Sequence, residues 1–155
     1  MITEHFSLGE FVRSARHPEL QEVNLSASGP YLHNMIRVCA QLEKLRAYIA
    51  RPIFITSGFR CPELNAAVGG VANSAHVRGL AADFVVKDFQ DPDGLFGVFK
   101  WCADNFDNGQ IIFDHPAGRK PWIHYAVADN PESFAAGRLE KLTFINGEWK
   151  RYERG

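Results

Sequence analysis

The sequence contains no stretch of about 18 consecutive apolar residues, so a membrane-spanning helix is not among its expected elements. It also lacks an excess of either charge: 17 Lys and Arg against 18 Asp and Glu give a formal net charge of −1. No basic run disturbs that balance, so neither a nucleic acid nor an anionic membrane surface has an electrostatic footprint here. Cysteine is scarce. Cys39, Cys61 and Cys102 cannot all pair within one chain, and no two have C-x-x-C spacing, which speaks for a reduced compartment. The first residues, Met1 to Phe6, carry neither a basic flank nor a long apolar segment. The chain therefore reads as made in a cytoplasm without a secretory signal. Internal repeats, low-complexity segments and linkers are absent. The 155 residues read as one domain, able to bury a core without disulfides and expected to be a monomer.

What is present is patterned. Ser7 with Glu10 has the spacing of a capping box ahead of a short helix that carries Phe11 and Val12. Arg16 to Pro30 is polar and punctuated by proline, and reads as a loop. From Tyr31 to Ile49, apolar residues recur at three- and four-residue steps, the strongest helical pattern in the chain. Ile53–Thr56 reads as a strand. Ser57 to Gly79 is rich in Gly, Asn, Ser and Ala and reads as a functional loop with a small helix over Pro62–Val68. Ala81–Val86 is a predicted strand and Asp93–Phe106 an amphipathic helix. Gln110–Asp114 and Trp122–Val127 are predicted strands joined by a hairpin-like loop, and Leu142–Ile145 and Glu148–Tyr152 turn at Asn146-Gly147. Helices first and strands later, without regular alternation, predict an α+β fold: a small antiparallel sheet with helices on one side.

The chemistry is concentrated in three blocks: Ser57-Gly58-Phe59-Arg60, Ser74-Ala75-His76 and Gly79-Leu80-Ala81-Ala82-Asp83. His76 and Asp83 suit a loop ligand followed by a ligand on the next strand, and His124, alternating with Trp122 and Ala126, fits the third place. Zinc accepts imidazole nitrogen and carboxylate oxygen, and a catalytic site needs three protein ligands with one position left for water. A loop histidine taken alone is more often a hydrogen-bonded surface residue. Asp83 is harder to explain blandly, because a carboxylate in an apolar strand needs a cation, a metal or several donors.

The run Ser57-Gly58-Phe59-Arg60-Cys61-Pro62-Glu63-Leu64-Asn65, then Val68-Gly69-Gly70, then Ser74-Ala75-His76 through Asp83 resembles the S-G-[FY]-R-x-P-x-L-N, V-G-G, S-x-H-x-x-G-x-A-x-D signature of zinc D-alanyl-D-alanine peptidases. That family includes cell-wall carboxypeptidases, dipeptidases and phage endolysins, and it shares a fold with the hedgehog signalling domain. Trp122-Ile123-His124 is similar to the segment that supplies the family's last ligand, and Thr3 to Phe11 looks like the start of its phage and prophage members. The resemblance runs from about Thr3 to Val127. It implies zinc held by His76, Asp83 and His124. It implies that Arg60 contacts the substrate's carboxylate or the carbonyl under attack, a task suited to a guanidinium fork; the plain alternative is a surface ion pair. Ser74 would hydrogen-bond substrate or brace its loop.

The general base departs from the better-known members. Many carry an acid three residues before the last histidine, where this chain has Pro121. Asp114 is the substitute: if it pairs with Trp122, Ile112 pairs with His124 and all four side chains share one face. A turn or capping carboxylate is the bland reading of Asp114, and His115 is a second candidate base. The expected activity is hydrolysis of a peptide bond near D-alanine in peptidoglycan stem peptides or cross-links. Such a protein would reach the wall after release by another factor, or as part of a virion. The rival expectation is a zinc-containing binding module of the same fold without turnover.

Overall fold

The computed structural model of the protein describes residues 1–129 and 138–153. Helix α1 (Leu8–Val12) is opened by the expected capping box, Ser7 accepting from the Glu10 amide and the Glu10 carboxylate accepting from the Ser7 amide. Helices α2 (Gln21–Ala27) and α3 (Leu32–Ile49) follow, then strand β1 (Ile53–Ser57), helix α4 (Pro62–Ala67), strand β2 (Ala81–Val86) and helix α5 (Pro92–Asn105). Strands β3 (Gly109–His115), β4 (Trp122–Ala126), β5 (Leu139–Ile145) and β6 (Glu148–Arg151) complete the sheet in the order β1-β2-β4-β3-β5-β6.

Two expectations need correction. Arg16 to Pro30 is not a loop: a 3-10 turn over Pro18–Leu20 leads into α2, and a second covers Gly29–Tyr31. Helix α2 buries only Asn24 and leaves Val23 and Leu25 about half exposed, so it has no apolar stripe for a periodicity to reveal. The sheet is also not wholly antiparallel. β5 runs parallel to β3, from Gly109↔Leu139 to His115↔Ile145, while every other pairing is antiparallel. β4 brings the chain to the end of the sheet where β3 begins, and Gly109 donates its amide to the Arg138 carbonyl, so β5 starts beside the start of β3. The β5–β6 turn has positive φ at both Asn146 and Gly147, the geometry that matches strand twist in two-residue hairpins.

Strand alternation sorts the sheet's two faces. Ala82, Phe84, Val86, Ile111, Phe113, Ile123 and Tyr125 are buried among core residues of α3 and α5, such as Leu42 and Phe99. The intervening residues, Asp83, Ile112, Asp114, Trp122 and His124, occupy the other face. Each fully buried Phe or Leu contributes about 1.5–3 kcal/mol by leaving water, which fixes the register, since a one-residue slip would turn every core side chain outward. All three cysteines are buried and unpaired, and burial pushes the Cys39 thiol up to about 12. Among the described residues, no helix is long and apolar enough to cross a membrane.

Candidate metal centre

The sheet register brings two of the candidate ligands together: Asp83 on β2 lies directly opposite His124 on β4. His124 Nδ1 is 2.8 Å from Asp83 Oδ1. His76 arrives from a 3-10 turn, Ala75–Arg78, whose N-cap Ser74 accepts from the His76 amide and whose end is closed by Gly79 in the left-handed region (φ 69°). Its Nε2 is 3.4 Å from the same Asp83 oxygen, and the imidazole is 3% exposed. One ligand atom from each of the three residues lies within 4.8 Å of the others.

The proton on His76 is placed by its neighbour. Nδ1 lies 2.7 Å from the Gly58 carbonyl, which can only accept, so Nδ1 carries a hydrogen and Nε2 is the ring atom left facing Asp83. Gly58 must be glycine for this contact. A Cβ there would sit 2.5 Å from the Phe11 carbonyl oxygen, and the backbone would have to move away from α1. The donor set fits zinc. Ligand atoms about 2 Å from a tetrahedral ion stand roughly 3.3 Å apart, and the contacts to Asp83, at 2.8 and 3.4 Å, bracket that edge. Burial alone would raise the Asp83 carboxyl. The charge of His76 and the hydrogen bond from His124 overcome it and hold Asp83 well below the usual carboxylate range.

Arg60 stands in the segment between β1 and α4, its amide donating to the His76 carbonyl at 3.1 Å. Nη2 reaches Ser74 Oγ at 3.4 Å, and Nε is buried without a hydrogen-bond partner among the described residues. Burial lowers the pKa of its guanidinium from the ordinary value, opposed by the charge of Asp83. No carboxylate of the described chain is in ion-pair contact with it, so the plain surface ion pair is not what the geometry shows. The Ser74 hydroxyl joins the His76 turn to Arg60.

Asp114 pairs with Trp122 and Ile112 with His124, as the alternation required, which places Asp114 one diagonal step from His124 on the ligand face. Burial raises its carboxyl to about 6, opposed by the His124 charge and supported by that of Asp83. His115 falls on the other face: it is the last residue of β3 rather than part of the loop, and its ring lies 6.2 Å from that of Phe113. As a second candidate base it is therefore misplaced, for strand alternation turns it away from the ligands.

Asn24 escaped sequence reasoning. It is fully buried, and its side-chain amide donates to the carbonyls of Val12 (2.8 Å) and Phe59 (3.0 Å) while its oxygen accepts from the Cys61 amide (2.7 Å). It thus clamps the backbone on both sides of Arg60. One asparagine in a polar run carries no periodic signal. Asn24→Ala leaves three buried backbone groups unpaired, at about 1–3 kcal/mol each before relaxation. The expected loss is about 2 kcal/mol or more in urea denaturation, and Asn24→Asp is expected to lose at least as much, because it keeps the acceptor for the Cys61 amide but turns a carboxylate oxygen toward two carbonyls that need a donor.

The His–Asp–His cluster on this mixed sheet is a candidate metal site. The family model described as Peptidase M15 matches residues 4–111, and the chain belongs to that family of metallopeptidases, with its hedgehog/DD-peptidase fold. The matched span holds Arg60, Ser74, His76 and Asp83. Asp114 and His124 lie beyond it, and it is the strand register that brings His124 to the other two. No curated protein matches the chain.

Proposed function

We propose that this chain is a zinc-dependent peptidase that hydrolyses a bond near D-alanine in peptidoglycan stem peptides or cross-links, with His76, Asp83 and His124 as its ligands. The observation that carries the reading is the convergence of those three ligand atoms within 4.8 Å, with His76 Nδ1 committed to the Gly58 carbonyl and Nε2 left facing Asp83. A zinc ion there supplies a Lewis acid and an activated water at neutral pH. Arg60, with its unsatisfied Nε, binds the substrate's carboxylate or the carbonyl under attack. The Asp114 carboxylate takes the proton of the attacking water and returns it to the leaving amine. Cytoplasmic synthesis, action on the wall as a monomer after release by another factor, and a phage or virion origin belong to the same reading.

Pro121, where better-known relatives carry an acid, favours a second reading: a zinc-containing binding module without turnover. Mass spectrometry of purified muropeptides separates the two. The peptidase yields products shortened by D-alanine or opened at a cross-link, abolished by a chelator and restored by zinc. Unchanged muropeptides at every zinc concentration leave the binding module.

A further inference from the structure

Asp83 of the candidate metal centre and Arg60 line a cleft of about 490 Å³, together with Phe59 and Trp122. Four more cations line the same cleft: Arg13 and Arg16 from the segment after α1, and Arg119 and Lys120 from the β3–β4 loop. Among the described residues, Asp83 is the only acidic one in that lining, and it is committed to the two imidazoles. All four cations are exposed, and none has an ion-pair partner among the described residues. Away from the cleft, Lys44, Arg51, Arg78 and Lys150 pair with Asp107, Asp88, Asp129 and Glu148. The concentration is not the by-product of a basic protein, since the whole chain has a formal charge of −1.

Like charges gathered in a concavity repel one another, and a divalent ion held by Asp83 would add to that repulsion. The walls also focus the field, so the cleft concentrates anions at its mouth. One of the cations is held in place: the Arg119 guanidinium lies 5.0 Å from the centroid of the Trp122 ring, a cation–π contact that keeps the fork at the edge of the ligand face. Arginine forks match carboxylates in two-point geometry.

We infer that Arg13, Arg16, Arg119 and Lys120 form a second, carboxylate-reading subsite, and that the preferred substrate is a peptide bearing free carboxylates besides the group held by Arg60. The inference rests on the peptidase reading, because the peptide must cross this cleft to reach the metal centre. The subsite selects between otherwise identical stem peptides whose side carboxyls are free or amidated.

The test compares hydrolysis of such a pair by the zinc-loaded full chain at low and high salt, alongside two double variants, Arg13→Ser with Arg16→Ser and Arg119→Ser with Lys120→Ser. The free-acid peptide is expected to have the higher kcat/KM by about tenfold, mainly through KM, with the preference shrinking as salt screens the rim. Each double variant is expected to lose most of the preference while retaining zinc and the wild-type melting midpoint. Equal hydrolysis of both peptides, or a preference that survives in both double variants, overturns the inference. If the wild type cuts neither peptide, the peptidase reading has failed. Calorimetric binding of the same two peptides to the zinc-loaded chain then decides the subsite alone: tighter binding of the free acid, lost in the double variants, supports it, and equal binding overturns it.

Discussion

Asp83→Ala is expected to leave the protein without stoichiometric zinc and to lower muropeptide hydrolysis by at least about a thousandfold. Asp83 Oδ1 is the atom both imidazoles approach, at 2.8 Å from His124 and 3.4 Å from His76. Removing it takes the only anionic donor from a three-ligand set and leaves two neutral nitrogens to hold the ion. A bound metal contributes several kcal/mol of transition-state stabilisation, and each ~1.4 kcal/mol is a factor of ten in rate. Elemental analysis of the purified variant and a parallel rate measurement check both halves. A variant that keeps one zinc per chain and its turnover would remove Asp83 from the site. Circular dichroism should show the fold retained, because Asp83 faces away from the core.

Asp114→Asn is expected to separate metal binding from turnover: full zinc occupancy, with a rate lower by about 10²–10⁴. The pH profile carries the sharper signature. The base must be ionised, and burial raises its carboxyl to about 6, so activity rises with pH through an acid limb. The divalent ion pulls that limb to or below pH 6. In the variant the limb disappears from whatever rate remains. Stability moves the opposite way. A carboxyl raised in the folded state contributes fully below its unfolded value, roughly 3.9, and the contribution is lost as pH rises through 6. At neutral pH the metal-free protein therefore bears a buried charge that asparagine removes. The metal-free variant should melt higher at pH 7 than the metal-free wild type, and at pH 4 the difference should vanish. Unchanged turnover would eliminate Asp114 as the base.

The parts of this site that could be read from residues were those governed by strand alternation. Asp114 opposite Trp122 and Ile112 opposite His124 follow from the period of two once one pairing is assumed, and the register obeys it. The same rule applied one residue further would have turned His115 away from the ligands, but its place in the strand was hidden by the proline that follows. Helix α3 was legible because its buried side chains recur at helical spacing. Helix α2 was not, because it is held by one buried amide rather than by an apolar face. The parallel course of β5 was likewise unreadable: alternation says which face a side chain takes, and nothing about the direction in which its neighbour runs.

The bond from His76 to the Gly58 carbonyl, taken with the Arg60 amide on the His76 carbonyl, makes a closed ring of backbone and imidazole. On the zinc-peptidase reading proposed above, a bound ion would stiffen this ring and the segment that carries Arg60 before a peptide arrives, so the entropy of ordering that segment would be spent when the metal is acquired.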